Sequence, residues 1–147
     1  MCIRDSIGNA CFRSCAALIR VLDAYSIPWV LENPSSSKCW NLPFLQRLVQ
    51  SEHTCLLTTD FCAYGTIWRK RTNILAGNIP LDDLHRVDHR CSGRRCCEFT
   101  HKPHFHLTGK GPGGENWTAI AQPYPPKLCS GLAYALTARW HYNTISY

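Results

Sequence analysis

The chain has 147 residues, enough for one ordinary domain, with 16 Lys and Arg against 10 Asp and Glu and a formal charge of +6. At 45% hydrophobic and 18% charged, it carries the material of a packed core and is not a disordered tail. Its apolar runs fall short of the roughly 18 residues of a membrane-spanning helix. The first of them, Cys15 to Ile19, is broken by Arg13 and Arg20 and does not read as a secretory signal.

Ten cysteines without such a signal point to free thiols in a reducing, intracellular compartment rather than to a disulfide framework. The surplus positive charge permits an acidic partner such as nucleic acid without requiring one.

The elements follow in chain order. Residues 1–7 open with Met1-Cys2-Ile3-Arg4-Asp5-Ser6, which resembles a translated sequencing-adaptor tail, so the native protein is expected to extend upstream. A helical pattern then takes over, with Phe12, Cys15, Ile19, Leu22 and Tyr25 or Ser26 at three- and four-residue steps and Ser6 or Asn9 as its cap. Pro28 ends it, because the residue before a proline avoids the helical region. Trp29-Val30-Leu31 is a short continuous apolar run, leading to Glu32-Asn33-Pro34 and a serine triplet. Helix, break, buried strand and polar loop in that order predict an αβ unit in a mainly parallel sheet, with Glu32 at the end of a central strand.

Pro43 starts a second helix, whose stripe is Phe44, Leu45, Leu48 and Val49. Strands are expected over Thr54–Phe61 and Thr72–Ala76, joined as a β-hairpin through Tyr64 to Arg71. From His85 to Pro126 periodicity dissolves into Cys, His, Gly and Pro. This is a long loop or insertion, held by something other than a ladder, and Gly109 to Gly114 within it reads as a flexible loop. A last helix follows Pro125-Pro126, with Leu128, Cys129, Leu132, Ala135, Leu136 and Trp140 on one face. The chain thus divides into residues 8–84, an α/β unit, 85–123, the Cys/His/Gly-rich insertion, and 124–147, the C-terminal helix.

Three groups of residues carry chemistry. Glu32 and Asn33 sit where α/β folds place ligand sites, at the exit of a strand. A carboxyl there suits an amino group or a ring nitrogen of a base. The alternative is a turn and helix cap built on Asn33 or Ser35. The second group is Trp68, Arg69, Lys70 and Arg71, after Gly65. It fits a phosphate-contacting loop with Trp68 or Tyr64 stacking on a base, or else a solvated hairpin tip. The third is Cys91, Cys96, Cys97, His101, His104 and His106, whose thiolates and imidazoles are zinc donors. Cys96 and Cys97 are adjacent and do not easily face one ion, so the expected set is Cys91, Cys96, His101 and His104. The alternative is a metal-free polar loop. Cys11, Cys15, Cys39, Cys55, Cys62 and Cys129 read as core filling.

In order, these pieces resemble the C-terminal half of a cytosine-5 DNA methyltransferase-like domain, of the divergent kind found in phages and protist mobile elements. Pro28 to Pro34 resembles the family strand that ends in Glu-Asn. Tyr64-Gly65 followed by Lys70-Arg71-Thr72 resembles a later family turn before basic residues and a strand. Cys91, Gly93 and the histidines from His101 to His106 match the mobile-element versions loosely, as do Tyr124-Pro125 and Leu128-Cys129. The likeness spans roughly residues 8 to 138.

The resemblance implies a partial Rossmann-like class I methyltransferase sheet with a terminal antiparallel hairpin and a C-terminal helix. It implies Glu32 on the Watson–Crick edge of a target cytosine, Arg69, Lys70 and Arg71 near the nucleic-acid backbone, DNA as partner and S-adenosylmethionine as cofactor. Two family features are missing: the glycine-rich cofactor loop, and the Pro-Cys dipeptide carrying the nucleophile, since no Cys follows any Pro. The reading is therefore a methyltransferase fragment, inactive alone, that needs the upstream part of the same polypeptide. Beside it stand a zinc-stabilised nucleic-acid-binding module and a degenerate structural domain of a mobile-element polyprotein.

Overall fold

The structure is a computed structural model, and it describes residues 3–144. Met1 and Cys2 of the N-terminal stretch lie outside the described residues, as does the side chain of Trp140. Helix α1 covers Ile3–Ala24. Ser6 and Asn9 therefore lie inside it rather than capping it. The helix stops before Pro28 on a backbone device. Ser26 takes a left-handed φ of 52°. Ser26 N–H then reaches the Asp23 carbonyl at 3.0 Å, and Ile27 N–H reaches that of Leu22 at 2.8 Å. This pair of bonds is a Schellman closure, made by serine where glycine is usual.

Strand β1 (Trp29–Pro34) follows, then a 3₁₀ turn, Lys38–Asn41, capped by Ser37, whose hydroxyl accepts from Cys39 N–H. Helix α2 (Pro43–Val49) has the expected proline in its first turn. Strand β2 (Thr54–Asp60) runs into a 3₁₀ turn, Phe61–Tyr64, closed by Gly65 at a φ of 94°. Strand β3 (Arg71–Gly77) completes the sheet. Short helices α3 (Leu81–Leu84) and α4 (Trp117–Ile120) flank the irregular segment, and α5 covers Pro126–Thr144.

The architecture is mixed α/β with a three-stranded antiparallel sheet and a C-terminal helix. The strand order is β1-β3-β2, with β3 antiparallel to both neighbours. The hairpin of β2 and β3 is as expected, with Leu57 opposite Ile74 and Asp60 opposite Arg71. The parallel placement of β1 is corrected: β1 pairs antiparallel with β3 and, among the described strands, lies at the sheet edge. The cause of the misreading is that a continuous apolar run reports cover on both faces, not strand direction. Both faces are indeed covered. Leu57, Ile74 and Ala76 pack with Leu84, Val87, Leu128 and Ala135 on the α5 side. Trp29 and Leu75 pack with Ile19, Trp40 and Leu45 on the α1 and α2 side. Burying one leucine at such a position contributes about 2 kcal/mol.

Cys129, expected on the buried face of α5, is exposed. Gly109 to Gly114 is a tight turn rather than a loose loop, closed by Gly111 N–H on the Glu115 carbonyl at 2.7 Å. No described helix is long and apolar enough to cross a membrane.

Candidate metal centre and the basic basin beside it

Three cysteines form a buried cluster of their own, Cys62, Cys91 and Cys97, with at most 2% of each exposed. The half-buried His104 joins them, and the four donor atoms all lie within 4.8 Å of one another. The Sγ atoms of Cys91 and Cys97 are 3.9 Å apart, and Cys91 Sγ lies 3.6 Å from His104 Nε2. A tetrahedral zinc with bonds of about 2.3 Å to sulfur and about 2.0–2.1 Å to nitrogen requires sulfurs about 3.8 Å apart and sulfur to nitrogen of about 3.5–3.6 Å. The four residues fit such an ion in donor type and number, and the Cys91–Cys97 and Cys91–His104 distances match its spacing.

Each donor is positioned for a reason the backbone supplies. Cys62 sits in the 3₁₀ turn directly after β2, fixed by the left-handed Gly65. Cys91 N–H donates to Asp60 Oδ2 at 2.8 Å, and Glu98 N–H reaches the Cys91 sulfur at 3.5 Å. The bend between Cys91 and Cys97 needs Gly93, where a Cβ would come within 1.8 Å of the Cys96 carbonyl oxygen. Cys97 is tied across the next turn, its N–H on the Lys102 carbonyl at 2.8 Å and its carbonyl accepting from His101 N–H at 2.9 Å. His104 is carried on the segment that docks on the hairpin loop, where Phe105 N–H donates to the Ile67 carbonyl at 2.8 Å.

The thiols are electrostatically unequal. Burial, reinforced by the neighbouring Cys97 and Cys91, pushes the Cys62 thiol far up. Burial acts the same way on Cys97, but hydrogen bonds from Thr100, the Phe99 backbone and Cys62 outweigh it and bring that thiol down. Of Cys62 and Cys97, Cys97 is therefore the thiol that ionises first.

The expected ligand set is half corrected. Cys91 and His104 stand in the cluster; Cys96 and His101 do not, both being exposed, His101 at a left-handed φ of 55°. Of the adjacent pair, Cys97 is buried in the cluster and Cys96 is exposed. Cys62, expected as core filling, stands in the cluster instead. Its only sequence signal is its place at a strand end before a glycine turn.

The basic loop divides. Trp68 and Arg69 line an open basin with Arg94, Arg95, His104 and Phe105. Lys70 turns away, its Nζ 4.7 Å from the Phe61 ring centre and 5.7 Å from that of Tyr124. Arg71 makes a two-pronged bond to Asp60 at 3.0 and 2.8 Å. Tyr64 is not available for stacking, since it is buried with its hydroxyl 2.7 Å from Thr59 Oγ1.

Glu32 stands near the end of β1, half-buried, with both carboxylate oxygens occupied. Thr72 Oγ1 donates to one, and Tyr124 OH donates to the other at 2.5 Å. Burial and the Glu32 carboxylate together push the Tyr124 hydroxyl up, so it stays a donor. Asn33 lies opposite Asn73 in the β1–β3 register. Ser37, not Asn33 or Ser35, makes the cap that follows.

No family model matches the chain, and neither a curated protein nor a solved structure is a significant match.

Proposed function

We propose that the chain is the zinc-stabilised, nucleic-acid-contacting part of a cytosine-5 DNA methyltransferase-like domain. The observation that carries the zinc assignment is the convergence of Cys62, Cys91, Cys97 and His104 within 4.8 Å of one another. Three thiolates and one imidazole leave no open position, which makes the site structural rather than catalytic. The ion would hold the hairpin tip, through Cys62, to a segment that has no ladder of its own.

The methyltransferase part rests on the resemblance, and two features support it. The last two strands form an antiparallel hairpin beside the strand carrying Glu32-Asn33. The Glu32 carboxylate is held in one orientation by Thr72 and Tyr124. S-adenosylmethionine and the nucleophilic cysteine belong to other sequence on this reading, and the chain alone transfers no methyl group. Covalent attack on a cytosine needs a thiolate at the ring, and a carboxylate has nothing to stabilise until that bond forms.

The deciding experiment is metal analysis of untagged protein, with Cys97→Ser beside Cys96→Ser. One equivalent of zinc in the wild type and in Cys96→Ser, and its loss in Cys97→Ser, is the expected result. Less than about a tenth of an equivalent in the wild type removes the zinc assignment, because structural zinc survives ordinary handling. A tritiated-methyl transfer assay with mixed-sequence DNA tests the rest. Transfer that disappears in Glu32→Gln would show that these residues are catalytically complete.

A further inference from the structure

We infer that the basin between the hairpin loop and the metal loop holds a backbone phosphate of a nucleic-acid strand, and that the metal centre sets its shape. The inference rests on the zinc reading for its second half only. The basin has a volume of about 480 Å³, within the range of about 300–1,000 Å³ that small ligands occupy. Three guanidinium groups line it, Arg69, Arg94 and Arg95, and no carboxylate does. Arginine forks match phosphate oxygens in pairs.

Of these, Arg69 is braced, its Nη1 donating to the Gly93 carbonyl at 3.2 Å. A guanidinium has five N–H groups, so the remaining donors stay free for a ligand. Trp68 and Phe105 add aromatic surface, which stacks on bases without regard to sequence. Trp68 is anchored by packing on the core below the hairpin, which fixes this wall of the basin. Cations beside aromatic faces, with acids absent, select a strand of nucleic acid over an acidic peptide, which has no bases to stack.

The coupling to metal is a matter of chain position. Arg94 and Arg95 stand between Cys91 and Cys97, so both ends of their loop are donors to one ion. His104 is at once a donor in the cluster and part of the basin wall. Withdrawing the metal frees both ends of the arginine loop and one side of the wall together.

The test is fluorescence anisotropy with the zinc-loaded chain and a fluorescein-labelled single-stranded DNA of mixed sequence. The double substitution Arg94→Gln with Arg95→Gln is expected to weaken binding about tenfold and lower the slope of log affinity on log salt by about 1 to 2. Arg13→Gln with Arg20→Gln, both on α1, removes the same two charges elsewhere and is expected to change affinity less than about twofold. Inorganic phosphate is expected to displace the oligonucleotide more than chloride does at equal ionic strength. Unchanged affinity and salt slope in the double variant, with zinc retained, overturns the basin and leaves the metal centre standing. Should the double variant lose zinc, Arg69→Gln, outside the metal loop, decides in the same way: no loss of affinity overturns the proposal. Failure of the wild type to take up zinc defeats the coupling, while the arginine dependence still decides the phosphate site.

Discussion

Asp60, the last residue of β2, accepts a hydrogen bond from the backbone N–H of Cys91 at 2.8 Å. The same carboxylate, fully buried, receives the Arg71 guanidinium across the hairpin. One side chain thus joins the end of the sheet to Cys91, the first cysteine of the buried cluster's loop. Asp60→Asn keeps the shape and removes the charge. Arg71 is 42% exposed and regains water, so the cost is expected to be about 2 kcal/mol rather than that of a fully buried pair. Urea unfolding measures it. Zinc affinity, measured by competition with a chromophoric chelator, is expected to fall about tenfold or more, because the group that orients a donor is lost.

Asp60 also sets a pH dependence. Burial raises its carboxyl, but Arg71 and the Cys91 N–H outweigh burial and hold it below the usual value of 3.8. A group whose folded value lies below its unfolded value stabilises the fold above the unfolded value and stops doing so as pH falls through the folded one. The stability difference between wild type and Asp60→Asn is therefore expected to be constant from neutrality down to about pH 4 and to shrink below it. A difference that shrank on going up from neutral pH would contradict this.

Tyr124→Phe removes the hydroxyl that holds one Glu32 oxygen and leaves the ring on Phe61 and under Lys70. The expected loss is about 1 kcal/mol, since Tyr124 is 44% exposed and water reaches the freed oxygen. Tyr124→Ala is expected to lose more, because the ring contacts go as well. Equal midpoints in urea for the two variants would show that the ring contributes nothing.

Gly93→Ala places a methyl group against the Cys96 carbonyl, which is backbone and cannot swing aside. The bend must open, and zinc content is expected to drop while the sheet remains. Far-ultraviolet circular dichroism near that of the wild type, with metal below stoichiometry, is the outcome sought. Full zinc occupancy would mean that the bend relaxes freely.

Much of this architecture was legible in the chain. Pro28, Pro43 and Gly65 mark boundaries because each restricts or frees specific backbone angles, and those restrictions hold in any context. The direction of β1 was not legible, because Trp29-Val30-Leu31 would be apolar in any strand covered on both faces. The candidate donor cluster was half legible. Density of Cys and His identified the segment, but the choice of Cys97 over Cys96 depends on which way a backbone bend turns. Cys62 comes from a distant part of the chain, and only the β2–β3 hairpin brings it to the others. The basic run from Trp68 to Arg71 was legible as chemistry and not as geometry, since adjacent side chains point to different neighbours.

The donor set also has a consequence for the order of assembly. Cys91 and Cys97 are 6 positions apart and Cys91 and His104 are 13 apart, so these three close short loops. Cys62 lies roughly 30 positions upstream, and each doubling of a loop adds only about 0.6 kcal/mol to its closure. An ion caught first by the three local donors would thus meet little entropic resistance in recruiting the fourth. It would arrive as a ready-made cross-link that waits for the hairpin. Refolding started with zinc present is then expected to register the segment around Cys91 together with β2, and refolding in chelator to leave it behind.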